Sequence, residues 1–539
     1  MADTLINTIV YLLITVAAYL AVPVIYLLSK REKMGSSLAI KVAIINSIII
    51  GALFCMIAKE KGLIWNITPA LFYCLINYKL LVQKSAKTLS KDFTKGSIPK
   101  QLLFFMLPFM ASNALQVLYS TIDMVIVGNY VGTPGLSAVS QSSQILNFAT
   151  MVCLGFSNGG QVLIAQALGA GKRKELNRII GTLFSLVLIL ALVLTLVAVF
   201  GHSLILDIMN IPEESRDFSA DYLIICGAGL VFTAGYNMVS AVLRGMGDSK
   251  RPFLFIGIAT VVNLVLDIVF TGILGWEVAG AAWATIIGQA VSFLFSLFYL
   301  YRRKAEFGFD FKPRSFALSK RYSKMIASLG TPLAIQSGCI NISMLFVNSM
   351  INNVGVVASA TFGVGIRIDD IVNKLSMGIQ YAALPMIGQN IAARKADRAV
   401  KVVRYSWLFS GVLTVLAITT YLIFGKELFM LFSDDPLVHE MSGTFIMAIV
   451  WLFPALAIMR GTSAFIQGLG NAKLSMVLAL LDGVVLRIGL SWLFGIFFDW
   501  GFFGFVLGYG LAAYGCAIPG FIYFVSGKWK KRKVLAEDL

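Results

Sequence analysis

The feature that most constrains this chain is a length. Apolar runs of about 20 residues, enough to span a hydrocarbon core ~30 Å thick, recur along all 539 residues with short polar breaks between them. Fifteen spans are predicted, at roughly 4–29, 39–58, 63–83, 103–130, 139–166, 179–201, 219–243, 252–275, 280–302, 328–352, 360–390, 404–424, 441–466, 474–498 and 503–526. Charged residues make up 13% of the chain and hydrophobic ones 58%, whereas a soluble protein carries about a quarter charged residues, so an aqueous globular fold is excluded. Transmembrane barrel strands would alternate over ~10 residues, and no segment here does. The expected fold class is an all-α polytopic membrane protein.

Positive charge orients the spans, because Lys and Arg in short loops are retained in the cytoplasm. The breaks after odd-numbered spans hold 35 of the 44 Lys and Arg, whereas the opposite loops hold only Lys59, Lys61, Arg216 and Lys426. The N-terminus is therefore expected outside and the C-terminus in the cytoplasm, in a multi-pass protein of the inner (plasma) membrane. The first apolar run is too long for a signal peptide, lacks a basic N-terminal flank and is followed by Lys30, Arg31 and Lys33; it reads as a retained anchor. The net charge of +17 reflects this topology and contact with anionic lipid rather than nucleic acid. The six cysteines show no C-x-x-C spacing, His202 and His439 sit in polar breaks, and no phosphate-cradling glycine motif is present. A zinc centre, a Ser/His/Asp hydrolase and an ATP-driven pump lack their raw material. The chain is expected not to be an enzyme, to use no cofactor, and to draw on an ion gradient.

Two halves of the chain superpose at an offset close to 223. Leu107-Pro108 aligns with Thr331-Pro332, Gly155 with Gly378, and Ile164-Ala165-Gln166 with Ile387-Gly388-Gln389. Further on, Arg244-Gly245-Met246-Gly247 aligns with Gln467-Gly468-Leu469-Gly470. Each repeat holds six spans, an even number, so the two share one orientation and are related by an axis along the membrane normal. The predicted organisation is an accessory three-helix membrane module at 1–83, a flexible basic cytoplasmic linker at 84–100, a first six-helix lobe at 101–305, a cytoplasmic inter-lobe linker at 306–327, a second lobe at 328–527 and a basic cytoplasmic tail at 528–539. Between the lobes lies a central cleft, with Gln116, Gln336 and Asn341 assigned to its wall.

An ionisable residue inside a span is costly and marks function unless a local partner neutralises it. Asp123 and Asp267 have no basic residue within their own helices, and Tyr119 and Asn263 stand one turn before them. Two carboxylates converging in a low-dielectric site resist double ionisation, which is the chemistry of a proton or sodium carrier. At the repeat offset Val347 stands opposite Asp123, Leu486 opposite Asn263 and Leu490 opposite Asp267, so the acids specialise the first lobe. The bland alternative is a pair of buried acids fixed by neighbouring hydroxyls and amides as packing links. Arg367, Asp370 and Lys374 share one helix face and are expected to neutralise one another; Asp482 and Arg487 are expected to pair; Arg460 has no obvious partner and Asp369 no assignment.

The two-times-six repeat at about 101–527 resembles the multidrug and toxic compound extrusion (MATE) family of cation-coupled antiporters. The resemblance is carried by Leu107-Pro108 through Asp123-Met124-Val125-Ile126-Val127-Gly128, Ile164-Ala165-Gln166-Ala167-Leu168-Gly169-Ala170-Gly171, Leu243-Arg244-Gly245-Met246-Gly247-Asp248, Gly280-Ala281-Ala282-Trp283-Ala284-Thr285 and Gly388-Gln389-Asn390. It implies a coupling site built from Tyr119, Asp123, Asn237, Asn263, Asp267 and Thr285, as in the prokaryotic branch with its acids in the first lobe. The helices 328–352 and 441–466, which carry acids in other branches, offer none beyond the margin. The expected function is export of amphipathic compounds, cationic or aromatic, by alternating access, with H+ or Na+ as the coupling ion and no other metal. The reading inclines to the proton, since a carboxyl holding one proton needs no complete coordination shell. Expected partners are small organic substrates and membrane lipids, with the chain a monomer. The rival is a flippase for lipid-linked saccharide, which needs several basic residues in the cleft; Arg367, Lys374, Arg460 and Arg487 are those available.

Overall fold

The computed structural model describes residues 91–209, 211–532 and 534–538. The three N-terminal spans and most of the linker after them lie outside the described residues. The rest forms two six-helix bundles related by a pseudo-twofold axis. In the first, α1 (Ile98–Tyr130), α2 (Thr133–Gly169) and α3 (Leu176–Phe200) are followed by α4 (Glu213–Ala228), α5 (Leu230–Gly245), α6 (Lys250–Asp267) and α7 (Glu277–Arg302). In the second, α8 (Lys320–Asn352), α9 (Val356–Ala392), α10 (Ala396–Met430), α11 (Pro436–Ile449), α12 (Leu452–Gly468) and α13 (Ala472–Leu480) lead into α14 (Arg487–Trp492), α15 (Gly501–Leu511) and α16 (Tyr514–Val525). Nine stretches among the described residues are long and apolar enough to cross a membrane by themselves, and α4 with α5 and α11 with α12 qualify as bent pairs. The 37-residue α9 is long enough too, but carries Arg367, Asp369, Asp370 and Lys374.

Local irregularities repeat with the helices, which is why the pseudo-symmetry is more than a count. The α4–α5 span bends by 45° and the α11–α12 span by 44°, and Ala228 and Trp451 at these bends are 223 positions apart. The turns between α1 and α2 and between α8 and α9 each use a glycine at positive φ, Gly132 at 84° and Gly355 at 141°, a conformation in which a side chain would be strained. A π-helical segment, Ile268–Ile273, ends the α6 span, and Leu493–Phe497 ends its counterpart.

The second lobe has one further π segment, Leu481–Leu486, between α13 and α14, and it corrects the repeat alignment. A π turn closes on i+5 and so takes in one extra residue. Beyond it the offset is 224: a Cβ on Gly280 would lie 2.9 Å from the Phe270 carbonyl carbon, and one on Gly504 2.5 Å from that of Phe494. The counterparts of Asn263, Asp267 and Thr285 are therefore Arg487, Ser491 and Tyr509, not the leucines that a constant offset selects. In α1 and α8 the offset is likewise 224, as with Pro108 and Pro332, so Val347 remains opposite Asp123 and is fully buried.

Lipid offers no hydrophobic drive for helices to associate, so bundles rely on small residues that let backbones approach. The lobes meet that way at the end carrying the basic loops. A Cβ on Gly155 would lie 2.9 Å from the Gly330 carbonyl oxygen, one on Gly159 2.8 Å from that of Ile326, and one on Gly378 2.8 Å from the Met110 backbone nitrogen. Gln166 Nε2 donates to the Gly468 carbonyl at 2.7 Å, and Arg244 of α5 lies over the Tyr381 ring of α9 at 5.6 Å. The repeat-related glutamines also anchor the end of the linker and the C-terminal tail. Gln389 Oε1 accepts from the Phe93 amide at 3.0 Å and Gln166 Oε1 from the Ala536 amide at 3.1 Å. The Phe93 carbonyl accepts from Asn390 and Arg398. The end of the linker is thus pinned rather than flexible from Lys91 onward, with the Lys91 amide donating to the Met246 carbonyl.

Candidate coupling site

Asp123 comes from α1, 25 residues into the helix, and Asp267 is the last residue of α6 before the π segment. Both are buried, with relative exposures of 5% and 1%. Oδ1 of Asp123 and both carboxyl oxygens of Asp267 have no hydrogen-bond partner among the described residues. The two carboxyls interact electrostatically with each other and with the Tyr119 hydroxyl. Thr285 on α7 ties the neighbours together: its Oγ1 accepts from the Tyr119 hydroxyl at 3.4 Å and from Asn263 Nδ2 at 3.4 Å. α7 approaches α6 closely because Gly288 faces the Ala259 carbonyl, where a Cβ would lie 3.0 Å away.

Five of the residues expected at the site, Tyr119, Asp123, Asn263, Asp267 and Thr285, are therefore brought together. Asn237, on α5, is half-buried and makes no hydrogen bond to either acid among the described residues. Tyr119 was expected to serve Asp123 on its own helix, but its hydroxyl reaches across to Thr285. Tyr222 and Cys226, both buried on α4, also stand within electrostatic reach of Asp123. Nothing in the sequence marked them, since neither carries a charge and both fall in an apolar stretch. Gln116 lies exposed on α1; on α8, Gln336 is half-buried and Asn341 exposed.

The second lobe treats buried charge differently. Asp482 and Arg487 form a buried ion pair at 3.1 Å, with Arg487 also 4.6 Å from the Tyr509 ring centre. Arg460, for which no partner was evident, donates to Ser376 Oγ at 2.9 Å, to Gln380 Oε1 at 3.3 Å and to Asn373 Oδ1. Asp369 is 4% exposed and interacts with both arginines. Two buried acids thus face two buried arginines in this lobe. Asp123 and Asp267 have no such balance among the described residues: of the first lobe's arginines, Arg244 is engaged by Gln161 at 2.8 Å and Asn158 at 3.3 Å, and Arg251 pairs with the buried Asp248 at 2.9 Å. On α9 Lys374 pairs with Asp370 at 2.8 Å, but Arg367 forms no ion pair among the described residues, so the expected neutralisation of all three is only partly realised.

Comparison with known proteins places this geometry. A family model, MatE, matches residues 108–269 and 332–493, one match in each lobe. YpnP of Bacillus subtilis (strain 168), described as a probable multidrug resistance protein, is 30% identical over 447 residues, covering 83% of this chain and 99% of the relative. NorM of Thermotoga maritima, described likewise, is 26% identical over 82% of this chain and 95% of its own length. A solved structure described as the outward-facing conformation of a multidrug resistance MATE family transporter aligns with a TM-score of 0.78 at 23% identity, over 83% of this chain and all of that one.

Proposed function

Since the chain belongs to the MatE family of membrane transporters, we propose that it is a cation-coupled antiporter that exports amphipathic organic compounds across the plasma membrane by alternating access. The observation that carries the reading is the imbalance between the lobes. The two buried acids of the second lobe stand with two buried arginines, whereas Asp123 and Asp267 are buried together with no Lys or Arg paired to them among the described residues. A buried carboxylate without a partner is expensive, and a proton or sodium ion entering from outside relieves that cost. The π segment directly after Asp267 is the kind of local irregularity often found at functional sites.

The basic-loop end is the cytoplasmic one by the positive-inside rule. The lobes are joined at that end, so the arrangement described here faces outward. Cation binding to the first lobe would favour one arrangement of its helices over the other, which is all that coupling requires. The proton remains the favoured ion, with sodium the alternative, and the transporter works as a monomer among anionic lipids. The flippase reading is disfavoured because Arg460 and Arg487 are buried and bonded inside the second lobe, which leaves two basic residues for a pyrophosphate.

The test is dye efflux from vesicles holding the purified protein under imposed proton and sodium gradients. Asp123→Asn and Asp267→Asn should each abolish gradient-driven efflux with normal insertion. Transport at the wild-type rate by either variant removes that residue from the cycle. Asn263→Ala or Thr285→Ala should shift the pH profile of a proton carrier but sharply weaken the sodium dependence of a sodium carrier. Export driven by sodium alone at equal pH, without proton movement, overturns the preference for the proton.

A further inference from the structure

Among the charges that the coupling site does not use, those on α9 are placed to meet a substrate. Arg367, Asp370 and Lys374 fall on the face of α9 opposite Gly365, Asp369 and Ser376, which are buried in the second lobe. The foot of their face meets the first lobe: the Lys374 carbonyl accepts from Asn113 of α1 at 2.6 Å, and Gly378 lies against Met110. Arg367, exposed and eleven residues inside α9, lies on this face about 10 Å beyond Lys374 toward the opposite end. There it stands past the contacts that join the lobes. An exposed guanidinium within a span faces a water-filled cavity rather than lipid.

The pseudo-symmetry shows what stands across from it. The counterparts of Arg367, Asp370 and Lys374 on α2 are Gln144, Asn147 and Met151, of which Gln144 and Asn147 are exposed. Next to them, Phe148 faces Gly338 of α8, where a Cβ would lie 3.3 Å from the ring. One wall is therefore neutral and carries an exposed aromatic ring, and the other is charged. On the charged wall Asp370 is consumed by Lys374 at 2.8 Å, which leaves one positive charge over. Of the remaining acids, Asp123, Asp267, Asp369 and Asp482 are buried inside their lobes and offer nothing to a cation in the cleft.

We infer that the cleft between the lobes is a site for an amphipathic organic monoanion, its acidic group held by Arg367 with Lys374 behind it and its apolar body against Phe148 and the neutral wall. This rests on the exporter reading above and names the substrate class, an anion where the sequence led to the expectation of a cationic or aromatic compound. A guanidinium pairs with a sulfonate or carboxylate in a bidentate manner, and a single uncompensated charge suits a monoanion better than a pyrophosphate.

The experiment is equilibrium binding to the purified full-length protein in detergent, without any ion gradient, using pyrenesulfonate and pyrenylmethyl-trimethylammonium as probes of matched body and opposite charge. The wild type should prefer the sulfonate. Arg367→Gln should reduce that preference about tenfold or more, the scale of one charge-assisted hydrogen bond. Arg367→Glu should invert it, and Arg367→Lys should retain most of it. A wild-type preference for the ammonium, or a ratio unchanged in both Arg367→Gln and Arg367→Glu, overturns the inference. Because binding is read without a gradient, either result leaves ion-driven export to be judged by the vesicle assay, and a failure of export there leaves the binding preference to be judged here.

Discussion

Asp482 and Arg487 show how the second lobe holds charge in an apolar bundle. Their ion pair is 3.1 Å long and both side chains are under a tenth exposed. Removing one partner of a buried pair leaves the other charge uncompensated, at a cost of about 3–5 kcal/mol, whereas replacing both with apolar residues is often close to neutral. Asp482→Leu should therefore lower the thermal midpoint in detergent markedly. The double variant Asp482→Leu with Arg487→Met should recover most of the loss. Recovery would assign the pair to structure, as its place inside the lobe suggests, while a double variant as unstable as the single one would point to further partners for Arg487. The same logic separates these residues from Asp123 and Asp267, whose replacement by Asn removes a charge that no Lys or Arg among the described residues pairs with.

At the scale of the element, the π segment Ile268–Ile273 positions Asp267, and Gly280 of α7 permits it. A Cβ on Gly280 would meet the Phe270 carbonyl carbon, the Thr271 amide nitrogen and the Thr271 hydroxyl, each at 2.9 Å. Gly280→Val should push the segment outward, shift Asp267 relative to Asp123, and lower gradient-driven efflux by about tenfold or more, since small misplacements of reacting groups are costly. Gly257→Val is the matching control on α6, because a Cβ there meets nothing within 4 Å and efflux should stay near wild type. Equal loss in both variants would mean that α6 tolerates no added bulk anywhere and that the π segment has no special part.

For the whole molecule, the closed end is where the two lobes, the end of the linker at Phe93 and the C-terminal tail come together. Gln166 joins the Gly468 carbonyl and the Ala536 amide, and Gln389 holds the Phe93 amide. Each hydrogen bond is worth about 1 kcal/mol, enough to shift a two-state balance several-fold. Gln166→Ala and Gln389→Ala should each favour the state open at the basic end, seen as longer distances between spin labels placed on Arg173 and Lys395. Unchanged distances would make these bonds incidental to the cycle. The lobe contacts described here are all made by residues from Lys91 onward. A chain lacking residues 1–85 keeps Lys87, Lys91, Lys95 and Lys100 to hold its new N-terminus in the cytoplasm, and should insert and export at near the full-length rate in the same vesicle assay.

Much of this was legible in the chain itself, for a physical reason. A bilayer demands ~20-residue apolar helices, so span positions in the two lobes follow from composition along the sequence, and an internal duplication shows as matching motifs. Asp123 and Asp267 stood out because charge in such a helix is rare. The sequence did not reveal which groups converge. A π turn adds one residue without leaving a mark in the helical pattern, so a constant offset misplaces the repeat partners of Asn263 and Asp267 by one, and the Gly280 and Gly504 contacts set the register. Arg460 lacked a partner because its partners, Asn373, Ser376 and Gln380, come from a helix about 80 residues away. Arg367 and Lys374 both share a helix face with Asp370, and the sequence did not show that Lys374, one turn on, takes the acid and leaves the exposed guanidinium out of the pair. Span length, orientation and duplication are set by the bilayer acting on each segment. Pairing of charge is set by which segments the fold brings within a few ångströms.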